Sequence, residues 1–159
     1  MKGGDFMKIK AAIFDMDGTL IDSLMVWSVI WSKLGEEYLD DQSFMPDEED
    51  DKKVRTLTLK DAMTLIHAHY HLGESGDALW RQASQIIADF YQNEVKLKEG
   101  VREFLEYCKN IGVKMCVASA TAIELIELAM KHCGIEQYFS KIFKKQVGKT
   151  PKEYRESLK

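Results

Sequence analysis

The feature that most constrains the fold is a short apolar run that stops abruptly on acid. From Lys8 to Phe14 the chain carries Ile9, Ala11, Ala12, Ile13 and Phe14, and then turns to Asp15-Met16-Asp17-Gly18. A near-continuous apolar run of this length predicts a buried parallel strand. A second such run, Val113 to Ala118, follows a predicted helix whose core face is Val101, Phe104, Leu105 and Cys108, closed by Asn110 and Gly112. Helix, glycine, apolar strand and polar turn together predict an α/β fold. Ser119-Ala120-Thr121 then leads into a helix over about 122–132, ended by Gly134. Beyond it, Lys141-Ile142-Phe143 reads either as a short third strand or as part of a helix.

Between the two strands lies a long insert, residues 24–96, almost free of strand signals. Its helical stretches are Met25 to Leu39, Leu57 to Leu72 and Asp77 to Val95, separated by the acidic run Asp47 to Asp51 and by Gly73-Glu74-Ser75-Gly76. The pattern predicts a separate small bundle with Trp27, Trp31 and Trp80 in its core. The acidic run has no EF-hand spacing and is expected to be a solvated loop. His67 and His71, four apart, are expected on one helix face with His69 on another; without a third ligand at metal spacing they read as surface or core-edge histidines.

Composition narrows the class. Of 159 residues 45% are apolar, and only 10 Gly and 2 Pro are present, which excludes collagen-like and disordered chains. Cys108, Cys116 and Cys133 show no C-x-x-C spacing and read as reduced thiols. No apolar window has the length of a signal peptide or a membrane span, so a cytoplasmic protein with no membrane partner is expected. The net charge of −4 conceals an asymmetry: from Tyr138 onward seven basic side chains face two acidic ones, a balance of +5 that leaves −9 on the remainder.

Two carboxylates at positions i and i+2, delivered by a buried strand, stand at its carboxyl end, where α/β sheets bind ligands. Adjacent anions such as Asp15 and Asp17 call for a compensating cation or a shared proton, and a hard divalent ion answers that need. Magnesium fits, because it takes few protein ligands and completes its shell with water and phosphate. An ordinary strand-to-turn junction is the competing reading of a bare D-x-D-G.

The stretch Phe14-Asp15-Met16-Asp17-Gly18-Thr19-Leu20-Ile21-Asp22-Ser23 resembles the first motif of the haloacid dehalogenase-like superfamily. Val117-Ala118-Ser119-Ala120-Thr121 resembles its second, and the helical insert resembles the α-helical cap of its β-phosphoglucomutase-like and phosphoglycolate-phosphatase-like branch. The resemblance implies a Rossmann-like parallel core from 1–23 and 97–145, a helical cap over 24–96 and a basic tail over 146–159. It implies that Asp15 is the nucleophile, forming an aspartyl-phosphate, and that Asp17 is the general acid and base. Magnesium would be held by the Asp15 side chain and by Asp17 through its backbone carbonyl. Ser119 would bind the phosphoryl group, with Gly18, Thr19, Ala120 and Thr121 as further substrate contacts. A small phosphorylated metabolite is the implied substrate, with Arg55, Thr56 and Lys60 as cap contacts by analogy.

The later part of the family pattern is not kept. No fourth-motif carboxylates follow Phe143, and Val147-Gly148-Lys149-Thr150-Pro151-Lys152 only faintly resembles the third motif, so Lys149 or Lys152 is the candidate cation beside a solvated-tail reading. The residues from Tyr138 to Arg155 also resemble the end of an AraC-type DNA-binding domain, which implies phosphate contacts to nucleic acid and a non-catalytic regulatory alternative. A core lacking later strands would leave its first strand as an edge. Dimerisation, strand exchange or marginal stability is therefore expected.

Overall fold

The computed structural model describes residues 9–119 and 121–142. In chain order the elements are β1 (Ala11–Phe14), α1 (Val26–Leu39), α2 (Glu48–Val54), α3 (Leu59–Tyr70), α4 (Gly76–Asn93), α5 (Val101–Asn110), β2 (Lys114–Val117), α6 (Ile123–His132), a 3-10 turn (Glu136–Tyr138) and β3 (Phe139–Ile142). The chain divides into two compact units, one of residues 1–23 with 95–159 and one of residues 24–94.

The first unit is built on a parallel sheet in the order β1-β2-β3. Of the segment that sequence left open between strand and helix, Lys141 and Ile142 thus lie in a strand and Phe143 falls outside the described residues; the pairing has a register irregularity where β2 passes from Met115 to Cys116. Pairing of Ala12 with Met115 and of Phe14 with Val117 puts these four side chains on one face. There α5 packs, and Phe14 meets both Phe104 and Phe139 edge-on at 6.1 Å. Neighbouring parallel strands are joined by right-handed crossovers, which sends α6 to the same face as α5. Arg102 of α5 donates to the carbonyls of Cys133 (2.6 Å) and Gly134 (3.3 Å), closing the end of α6 and tying the two helices together.

The opposite face carries Ile9, Ala11, Ile13 and Lys114, and it is open: Ile9 is 69% exposed and Ile13 65%. Among the described residues β1 pairs with β2 alone. Among the described residues it is thus an edge strand, the condition on which the expectation of dimerisation rested.

The second unit contains α1 to α4 around Ile30, Trp31, Leu34, Met63, Ile66 and Leu79, with Trp27 and Trp80 packed against them. Thr58 and Ser75 open α3 and α4 by accepting the Asp61 and Ala78 N–H groups on their hydroxyls. Gly35 lets the following loop approach α1 closely, since a Cβ there would meet the Asp41 carbonyl and the Phe44 side chain.

Two expectations about this unit are corrected. The acidic run is not a solvated loop. Asp47 caps a helix by accepting the Asp50 N–H at 2.9 Å, and Glu48, Glu49, Asp50 and Asp51 occupy the first turn, where the helix dipole favours negative charge. Asp50, 5% exposed, meets His69 Nδ1 at 2.7 Å, and Asp51 accepts the Trp31 indole N–H (3.0 Å) and two bonds from Arg55 (2.9 and 3.0 Å). The second correction concerns His71. It leaves the helix as the left-handed C-cap of α3 (φ 56°), so it shares no helical face with His67, whose Nδ1 lies 2.8 Å from the Leu72 carbonyl.

Candidate active site

The site grows from the end of β1. Met16 is fully buried, and its carbonyl accepts the N–H groups of Thr19 (3.2 Å), Leu20 (2.9 Å) and Ile21 (3.1 Å). This closes a tight turn that Gly18 completes with a positive φ of 72° and an N–H donated to the Ile21 carbonyl (3.0 Å). Because Met16 anchors inward, the alternation of an extended chain puts Asp15 and Asp17 on the side away from it. Asp15 is exposed at the strand end, with the Thr19 hydroxyl 3.4 Å from its Oδ2.

The neighbouring strand brings the second group of residues. Register continues past the paired Phe14 and Val117, with the Ala118 N–H donating to the Phe14 carbonyl at 2.8 Å. Ser119, 7% exposed, then faces Asp17. The Ser119 hydroxyl donates to Asp17 Oδ2 at 3.2 Å and the Thr121 hydroxyl to the same oxygen at 2.6 Å, while the Thr121 N–H donates to Ser119 Oγ at 3.0 Å. The Ser23 hydroxyl donates to the other oxygen, Asp17 Oδ1, at 2.8 Å. Three hydroxyls from two distant stretches of sequence therefore converge on one carboxylate.

Of the residues singled out from sequence, Asp17, Ser119 and Thr121 are in direct contact, with Gly18 and Thr19 in the adjoining turn. Ala120 and Lys149 lie outside the described residues. Arg55, Thr56 and Lys60, all in the helical unit, are engaged there: Arg55 with Asp51, the Thr56 hydroxyl with the Lys53 carbonyl (2.8 Å) and Lys60 with Asp77 (3.0 Å). Sequence reasoning missed Ser23 as a partner of Asp17. Its only signal was its place at the end of the first motif.

Magnesium, implied by the resemblance, is a hard cation that takes oxygen ligands. The groups at this strand end are all oxygen donors, so their chemistry fits. Asp15 offers an exposed carboxylate that the Thr19 hydroxyl approaches at 3.4 Å. The Asp17 carboxylate is engaged by hydroxyl donors, and the contact that the resemblance implies for magnesium at this residue is its backbone carbonyl. Among the described residues no three His, Cys, Asp or Glu side chains gather as a metal cluster.

Comparison with known proteins supports the fold. A curated relative, the phosphorylated carbohydrates phosphatase of Thermotoga maritima, is 23% identical over 132 residues, covering 82% of this chain and 59% of the relative. Among solved structures, a candidate β-phosphoglucomutase from Thermotoga maritima superposes with a TM-score of 0.67 at 20% identity, covering 84% of this chain and 60% of that one. CbbY from Rhodobacter sphaeroides, solved with phosphate, gives 0.60 at 19% identity, covering 85% and 63%. The chain thus spans about three fifths of the length of these relatives. The match to the haloacid dehalogenase-like hydrolases runs over residues 12–158, through the basic tail, so the AraC-like reading of that tail is not supported. With nearly its whole length aligned and both motifs meeting at Asp17, the chain belongs to the haloacid dehalogenase-like hydrolase family.

Proposed function

We propose that this chain is a magnesium-dependent phosphatase or phosphomutase for a small phosphorylated metabolite, a phosphorylated carbohydrate by analogy with its curated relative. The observation that carries the reading is the convergence of Ser119 and Thr121 on Asp17, 102 and 104 residues away in sequence. Asp15 Oδ attacks phosphorus as the bond from phosphorus to the leaving oxygen breaks, giving an aspartyl-phosphate. Asp17 gives its proton to that leaving oxygen. It then takes a proton from the water, or from the sugar hydroxyl, that attacks the intermediate. Ser119 and the amides of its turn, with Ala120 and Thr121, bind phosphoryl oxygens, Gly18 and Thr19 border them, and Lys149 is the candidate cation. Magnesium on the Asp15 carboxylate and the Asp17 carbonyl would supply positive charge against the nucleophile and the phosphoryl group.

Turnover of p-nitrophenyl phosphate tests this. Asp15→Asn is expected to lower kcat by roughly a thousandfold or more. Chelation should remove activity that added magnesium restores. Equal turnover by wild type and Asp15→Asn would remove Asp15 from the reaction.

A further inference from the structure

The outer edge of β1 is open for pairing. The Lys114 N–H donates to the Lys10 carbonyl at 3.0 Å and the Ala118 N–H to the Phe14 carbonyl at 2.8 Å, so Lys10 and Phe14 turn their backbone toward β2. Alternation along the strand then turns the N–H and C=O groups of Ala11 and Ile13 outward, where among the described residues no strand meets them. Edges are commonly blunted by a charge, a proline or a bulge. The four residues of β1 are Ala, Ala, Ile and Phe, with regular pairing to β2.

α5 continues this edge on one side of the sheet. Its Arg102, Glu106 and Lys109 point toward α6 and the 3-10 turn: Arg102 donates to the Cys133 and Gly134 carbonyls, Glu106 accepts the Tyr138 hydroxyl at 3.1 Å, and Lys109 Nζ lies 5.5 Å from the centre of the Tyr138 ring. At about 100° per residue, Phe104 and Ile111 fall on the opposite flank, with Tyr107 beside them. That flank looks over β1, where Phe104 meets Phe14 and Ile111 shares a groove with Ile9, Lys10 and Ala11. Ile9, Ile13, Phe104, Tyr107 and Ile111 are each between 44% and 69% exposed. At about 200 Å² for a whole large apolar side chain, they offer roughly 500 Å² per copy. With the backbone of the strand this approaches the about 800 Å² per partner of a specific interface.

We infer that β1 is the contact of a two-fold dimer, in which it pairs antiparallel with β1 of a second copy about an axis at Ala11. This register sets Ala11 opposite Ala11 and Ile9 opposite Ile13 of the second copy, and it gives partners to the outward N–H and C=O groups. Two α5 helices come side by side over the joined sheet, with Phe104 and Ile111 between them. Lys10 stands opposite Ala12, so no lysine directly opposes another. The chain's own residues 143–159 suit the edge less well, because their six basic side chains against two acidic ones would join Lys10 and Lys114 at one groove. The inference is independent of the function proposed above.

Light scattering on the full chain between about 1 and 100 μM is expected to reach twice the chain mass at the upper end. Ile13→Lys charges an exposed position of the edge, and Ala11→Pro removes an N–H that points away from β2. Both variants are expected to stay monomeric over the same range with unchanged far-ultraviolet circular dichroism. Should Ala11→Pro lose its dichroism, Ile13→Lys and a cross-link decide. In Ala11→Cys, mild oxidation is expected to give a covalent dimer, since directly paired Cα atoms stand about 5.5 Å apart, within disulfide reach. The wild type, with Cys108, Cys116 and Cys133, serves as the control and is expected to give none. A wild type that stays monomeric throughout overturns the inference; protection of its Ala11 and Ile13 amides from hydrogen exchange would then give the edge to residues 143–159. A dimer that survives Ile13→Lys, or one that Ala11→Cys does not cross-link, overturns it equally.

Discussion

At the scale of single residues, Thr121 makes the shortest of the three hydroxyl contacts to Asp17, 2.6 Å against 2.8 Å for Ser23 and 3.2 Å for Ser119. Hydrogen bonds to a charged group are stronger than neutral ones, so removing this hydroxyl without changing side-chain volume is informative. Thr121→Val is expected to lower kcat/KM for p-nitrophenyl phosphate by about tenfold or more, and Thr121→Ser to retain most of it. Steady-state kinetics on purified variants check both. Asp15 and Asp17 were singled out because they close an apolar run that predicts a strand, and Ser119 and Thr121 because their stretch resembles the second family motif. Their meeting was not legible, since it depends on the register that sets Phe14 beside Val117. Ser23 was hidden for another reason: its hydroxyl reaches Asp17 only once the turn on the Met16 carbonyl has closed.

At the scale of elements, α2 shows how charge is misread when a cap is overlooked. Successive acids look like a solvated loop until Asp47 is seen to start a helix whose first turn favours them and whose last turn carries Lys52 and Lys53. The carboxyl of Asp51 is held below the usual carboxylate range, first by the Arg55 hydrogen bonds, against the opposing effect of burial, with the Trp31 indole adding to the lowering. A carboxyl whose folded pKa is depressed contributes stability above its unfolded pKa of about 4 and loses it as pH falls through the lower folded value. Asp51→Asn is thus expected to destabilise the helical unit by about 1–2 kcal/mol at pH 7. The difference should shrink as pH falls below about 4. Urea unfolding at pH 7 and in the acid range, compared between wild type and variant, measures it.

At the scale of the whole molecule, the two units rest on different kinds of core. The helical unit surrounds its apolar side chains, with Trp31, Leu34, Met63 and Ile66 fully buried. The sheet keeps one face open at Ile9 and Ile13. Each unit has contacts largely its own, so unfolding in separate steps is expected. All three tryptophans, Trp27, Trp31 and Trp80, belong to residues 24–94, so indole fluorescence reports that unit while far-ultraviolet circular dichroism reports both. In a urea titration the fluorescence midpoint should lie above the first dichroism transition. Coincident curves would mean one cooperative molecule.

The α/β class was readable at this scale from two apolar runs and their polar stops. The open face was not visible in composition, because Ile9 and Ile13 look like any other core residues until the crossovers place both helices on the other side.

The two passages of the chain between the units run beside each other. Ile21 bridges Leu97 in antiparallel fashion, and the Asp22 N–H meets the Lys96 carbonyl. A segment that leaves and returns through one narrow doorway behaves as a cassette: it can lengthen, shorten or be exchanged at little entropic cost to the frame it is hung on. Change in the helices and preservation of the acidic strand end are thereby separable: residues 24–94 can vary while the turn from Asp15 to Ser23 keeps its geometry.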